Sequence, residues 1–304
     1  MPRPKRRVPK GFTVVELLVA ITLAALLAVI VFRLLRGHSD FAAQQNAREE
    51  AQQNARGLLE LMTSELRAVP PQALLEGQSQ AIEFYLPRAW GILCNLTPTQ
   101  AVVIFPAGLD STVFRTNTLT GLFLLSNRTA TPTPSDVTLA ASTCPTLNPG
   151  TDPAPDVRSV PAASGSSFAT TANPSLPGTT APQPGDAVFL YQRVRYDVAT
   201  GLSQLGWWVR RSFAAAANGA LQLQALAGPL QTTPTGAPRF ELRYYQVNSS
   251  GQLVELASPP GTNRSALDAV RAVRITVGTV GRAGRTDAMQ TTTRSQLVYL
   301  RPYP

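Results

Sequence analysis

Hydrophobic and polar positions divide the chain into stretches of different period. From Phe12 to Phe32 the only charged residue is Glu16. Those 21 residues, at 1.5 Å rise each, make about 31 Å of helix, the thickness of a bilayer's hydrocarbon core. Past Gly37, His38, Ser39 and Asp40 the pattern becomes amphipathic. Apolar or small residues recur at Phe41, Ala47, Ala51, Ala55, Leu58, Met62, Leu66 and Val69, while Arg48, Glu49, Gln52, Gln53, Arg56, Glu60 and Arg67 take the far side. This spacing predicts that one helix continues to Val69, where Pro70 and Pro71 stop it. The larger side chains from Leu58 to Val69 mark where the rest of the chain mainly grips the helix. The alanines from Ala47 to Ala55 suit close approach of another helix.

After the two prolines the period falls to two. Ala81–Leu86, Ala101–Phe105, Gly121–Leu125 and Leu221–Ala227 read as strands. Val188–Val198 with Gly206–Arg211 reads as a hairpin, and Phe240–Val247 with Gln252–Leu256 as a second one. Val270–Val280, opened by Asp268, and Gln296–Arg301 close the list of expected strands. The segment 127–185, rich in Thr, Ser, Pro, Ala and Gly, has Phe168 as its only aromatic residue and is expected to be a long loop. With no long amphipathic helix after Val69, the expected class is α+β, a long N-terminal helix laid on a predominantly antiparallel sheet.

The formal charge of +9 alters the picture less than its size suggests. Arg3, Lys5, Arg6, Arg7 and Lys10 carry five of the positive charges, and they include both lysines of the chain. Without them, 22 arginines face 18 acidic residues, a net +4. A basic cluster just before an apolar span orients the N-terminus to the cytoplasmic side. Cys94 and Cys144, the only cysteines, fit one disulfide in an oxidising compartment, with two free thiols as the alternative. His38 is the sole histidine, no metal-ligand cluster or phosphate-binding glycine motif is present, and no cofactor is called for. The sequence offers no catalytic constellation, so an enzyme is not expected.

Glu16 is the costly residue, because a carboxylate inside an apolar span costs on the order of 2.5–3.5 kcal/mol unless paired or interfacial. Lys10, Gly11, Phe12, Thr13, Val14, Val15, Glu16, Leu17 and Leu18 together resemble the class III signal of type IV prepilins. The resemblance implies cleavage by the prepilin peptidase after Gly11, N-methylation of Phe12 as the new terminus, and an assembly role for Glu16. Phe240–Tyr245, Leu267–Ile275 and Leu297–Arg301 are similar to the closing portion of PilW-type minor pilins, a group that also resembles GspJ-like pseudopilins. The implied layout is a leader at 1–11, a transmembrane half-helix at 12–35, a soluble half-helix at 36–70 and a pilin-like β-rich domain at 71–304. The best-known major pilins carry a proline within the span, and none occurs here between Phe12 and Val69, which favours a minor subunit.

On this reading the protein helps initiate or cap a type IV pilus or a type II secretion pseudopilus. Its partners would be the prepilin peptidase, other minor and major pilins or pseudopilins, and an inner-membrane assembly platform. Its place would be a single-pass inner-membrane protein with a periplasmic C-terminal domain, later moved to the filament or cell surface. The competing reading is a tip adhesin or DNA-uptake subunit. Arg193, Arg195, Arg210 and Arg211 on neighbouring strands, with Trp207 or Trp208 to stack bases, are the residues that would bind nucleic acid. Against it, Trp207 and Trp208 face opposite ways in a strand, and the arginines equally suit a solvated face.

Overall fold

The computed structural model describes residues 13–69, 73–97, 100–105, 121–125, 133–134, 140–141, 144, 156–161, 184–200, 206–214, 221–282 and 289–300. Helix α1 (Val14–Ala68) runs 55 residues without a break, passing through Gly37. By internal contacts the chain divides into two units, Met1–Glu50 with Gly281–Gln290, and Ala51–Val280 with Thr291–Pro304.

In the first unit the apolar side chains of α1 from Val14 to Leu35 are exposed all round. A helix apolar on every face needs lipid or other helices to cover it. Ala47 is buried, and Gly281 lies against it so closely that a Cβ on that glycine would fall on the Ala47 carbonyl.

The second unit carries most of the strands: β1 (Leu74–Gly77), β2 (Ala81–Leu96), β3 (Gln100–Phe105), β4 (Gly121–Leu125), β5 (Thr133–Pro134), β6 (Ala140–Ala141) and β7 (Asp156–Pro161), followed by β8 (Ala187–Thr200), β9 (Trp207–Ala214), β10 (Leu221–Ala227), β11 (Phe240–Val247) and β12 (Leu253–Glu255). A short helix α2 (Arg264–Ala269) then leads into β13 (Val270–Arg282) and β14 (Met289–Tyr299). One sheet has ten strands in the order β10-β9-β8-β2-β3-β7-β6, with β1 on β2, β4 on β8 and β5 on β4. The other has four, in the order β12-β11-β13-β14. Every register given for these pairs is antiparallel.

Both sheets share one core with the second half of α1. Ala55, Leu58, Leu59, Met62, Leu66 and Val69 pack with Ile82, Phe84, Tyr196 and Val194 of the first sheet and Leu242, Tyr244, Ile275 and Val277 of the second. Each large apolar side chain so buried contributes roughly 1.5–3 kcal/mol of transfer free energy.

Four expectations need correction. The domain grips the helix mainly through Leu58 to Val69, as expected, but at Ala51 the alanine stripe admits strand β13: the Thr279 hydroxyl donates to the Ala51 carbonyl at 2.6 Å. That stripe therefore receives a strand, and another helix is not what packs there. Strand β2 does not end at Leu86. It continues through Pro87, which stays in register opposite Tyr191 of β8 while Arg88 is the bulged residue, and among the registers given no second strand pairs with β2 at Pro87 to need its missing N–H. Within the segment expected to be a loop, β7 pairs with β3 over six residues, Gln100–Phe105 against Pro161–Asp156. Asp268 sits in α2, which Asn263 caps by accepting from the Ser265 and Ala266 N–H groups, and does not open a strand. Most of 127–185 lies outside the described residues.

Candidate processing and assembly site

Helix α1 begins at Val14 because Thr13 caps it. The Glu16 N–H donates to the Thr13 hydroxyl at 3.3 Å, and Glu16 Oε2 accepts from the Thr13 N–H at 3.2 Å and from its hydroxyl at 3.1 Å. This reciprocal pattern is a capping box, Thr-x-x-Glu, which satisfies helix-start donors that would otherwise lack a partner. The carboxylate is thus held over the first turn, where the helix dipole favours negative charge. Behind it the helix is long and apolar enough to cross a membrane. Gly11 and Phe12 lie outside the described residues, immediately before the cap.

The four arginines considered for nucleic acid are brought together, but with carboxylates among them. Arg193 pairs with Glu83, Arg195 with Glu76, Glu83 and Asp197, and Arg210 with Asp197 through an Nη2–Oδ2 contact of 2.9 Å. The cross-strand registers Glu83↔Arg195 and Asp197↔Arg210 set these charges opposite each other on one face of the sheet. Three arginines meeting three carboxylates leave no surplus charge to hold a phosphate backbone. Arg195 and Arg210 are held above the ordinary arginine pKa. For Arg195, burial opposes its charge and the hydrogen bonds of Glu76 and Glu83 outweigh it, while for Arg210 the leading cause is the hydrogen bond to Asp197.

Arg211 points the other way, to the helix. Its Nη2 lies 2.7 Å from Glu65 Oε1 and its Nε 3.2 Å from Oε2, and the Tyr196 hydroxyl donates to the same Oε2 at 2.6 Å. All three residues are buried. Burial works against the Arg211 charge, but the hydrogen bonds and charge of Glu65 hold its pKa above the ordinary value. Burial, then the Glu65 charge, pushes the Tyr196 phenol up. Trp207 packs against the main core, and the Trp208 ring rests on Gly228, where a Cβ would lie 2.5 Å from it. Both tryptophans are partly buried.

Cys94 and Cys144 form a disulfide with their Cα atoms 6.0 Å apart. It packs with Val102 and Ile104 as a small satellite of the core. No cluster of three or more metal-ligating side chains occurs among the described residues. Two residues escaped the sequence reading. Thr13 was signalled by its three-residue spacing from Glu16, and Glu65 by a carboxylate standing among Met62, Leu66 and Val69 on the apolar stripe.

The sequence profile of a family described as the prokaryotic N-terminal methylation motif matches residues 6–32. No curated protein and no solved structure matches the chain.

Proposed function

We propose that this chain, which carries the prepilin N-terminal methylation motif over residues 6–32, is a type IV pilin or pseudopilin, and that it is a minor subunit that initiates or caps a filament after prepilin peptidase processing. Members of this family act by assembly and not by catalysis. The observation that carries the reading is the Thr13–Glu16 box at the head of an uncovered apolar helix. Cleavage after Gly11 would create the Phe12 ammonium one residue before Thr13. An ammonium entering an apolar bundle of helices needs a countercharge, and Glu16 is already fixed at that end. The uninterrupted helix, without a proline in its span, supports a minor place over the filament-forming one.

Partners on this reading are the prepilin peptidase, other pilins or pseudopilins and the inner-membrane assembly platform. The domain beyond α1 would lie in the periplasm and then at the filament, a compartment that suits the Cys94–Cys144 bond. The test is complementation of a deletion strain, with filaments or secreted cargo counted. Wild type should restore assembly and Glu16→Lys should not, although Glu16→Lys still enters the membrane. Undiminished filament number and cargo secretion in the deletion strain would overturn the initiating role.

A further inference from the structure

The described strands end in several edges. The stretch of β4 that β5 leaves open, Phe123–Leu125, is three residues long, and apart from β10 the others are short or carry charge or proline. β1 has four residues and carries Glu76; β5 has two and includes Pro134; β6 has two; β12 has three and ends in Glu255; β14 carries Arg294. Short length, charge and proline are the devices by which proteins keep strand edges from pairing with other chains. β10 has none of them. Its seven residues, LQLQALA, contain no charge and no proline, and β9 is its only partner among the described residues. Leu223, Gln224 and Ala225 at its centre are exposed, Leu223 by 56%.

We propose that β10 is a self-association edge, on which the β10 of a second copy pairs antiparallel and joins the two ten-stranded sheets. A twofold axis at Gln224 sets Leu223 of each chain opposite Ala225 of the other, so a large side chain meets a small one twice on the same face. The absence of charge removes the repulsion that normally forbids identical edges from meeting. A seven-residue edge is small beside the interfaces that hold soluble dimers. Two chains anchored in one membrane by α1 meet at a much higher effective concentration, and a short edge then suffices. The membrane reading of α1 enters only through that concentration, and the pairing does not require that a filament form.

Cysteine crosslinking of the full chain in membranes tests this, in cells with and without the peptidase so that a failure of the filament reading remains separable. Paired residues across an antiparallel ladder lie about 4.5–5.5 Å apart in Cα, within the disulfide range. Because Cys94 and Cys144 are bonded to each other, an introduced cysteine reports cleanly. Gln224→Cys should yield a disulfide-linked homodimer in both strains, whereas Arg243→Cys on β11 should not. Adding Leu223→Lys, which brings two ammonium groups onto one face of the junction, should abolish the dimer. As a check independent of Gln224, differently tagged Leu223→Cys and Ala225→Cys chains should crosslink to each other and not to themselves. Absence of a homodimer from both designs, or a Gln224→Cys adduct with a different protein, overturns the second-copy proposal.

Discussion

Replacing Arg211 by methionine isolates the interaction that locks the helix to the first sheet. Glu65 uses both carboxylate oxygens on Arg211, at 2.7 and 3.2 Å, and shares one with Tyr196. Its side chain is 10% exposed and that of Arg211 9%. Removing one partner of such a pair costs about 3–5 kcal/mol, because the other charge stays buried and uncompensated. Tyr196 still donates to Glu65 in the variant, so the lower end, about 3 kcal/mol, applies. For a domain of this size that is a fall in Tm of roughly 6–12 °C. Glu65→Leu together with Arg211→Met removes both charges and should recover most of the loss, leaving the unpaired Tyr196 hydroxyl to cost on the order of 1 kcal/mol. Urea titration of the full chain in detergent, followed by tryptophan fluorescence and circular dichroism, measures all three proteins. A cost below about 1 kcal/mol for Arg211→Met, the value of a solvated surface pair, would refute the reasoning.

Thr13→Val should weaken the helix start by about 1 kcal/mol and reduce incorporation into filaments, with Thr13→Ser restoring it; quantitative immunoblotting of sheared filaments reads the effect. Gly281→Val should shift β13 off α1, because its Cβ would fall on the Ala47 carbonyl, and hydrogen exchange should rise at residues 279–282 while the β11 amides stay protected. Burial raises the phenols of Tyr191, Tyr196 and Tyr244, so the folded state holds their protons more tightly than the unfolded chain does. Their contribution is complete below the free-tyrosine value near pH 10 and declines as pH rises above it. Alkaline titration should therefore show these three tyrosines ionising together with unfolding, and ionisation in a still-folded protein would contradict the burial assigned to them.

The helix and the hairpins were legible because each rests on local pattern. The stripe to Val69 preceded a double proline, and Phe240–Val247 alternated cleanly before its turn. Strand β2 was cut short in the sequence because Pro87 reads as a stop, and only its place opposite Tyr191 in the ladder with β8 shows that the strand runs on. The alanines at 47, 51 and 55 showed that something approaches closely, but small side chains do not tell a helix from the strand carrying Thr279 and Gly281. Likewise the arginines of β8 and β9 were visible as charges, while their carboxylates at Glu76, Glu83 and Glu65 come from other elements. At the candidate processing site Glu16 stood out by its cost in an apolar span, and that weight hid its simpler place as the third residue of a capped helix.

We propose that this chain enters the pilin pathway through cleavage before Phe12. Intact mass and N-terminal analysis of the protein from cells with and without the prepilin peptidase tests it most directly. A methylated Phe12 terminus is expected only where the peptidase is present, with the leader retained in its absence. A terminus at Met1 in both strains would contradict it and leave a membrane-anchored domain outside the filament pathway.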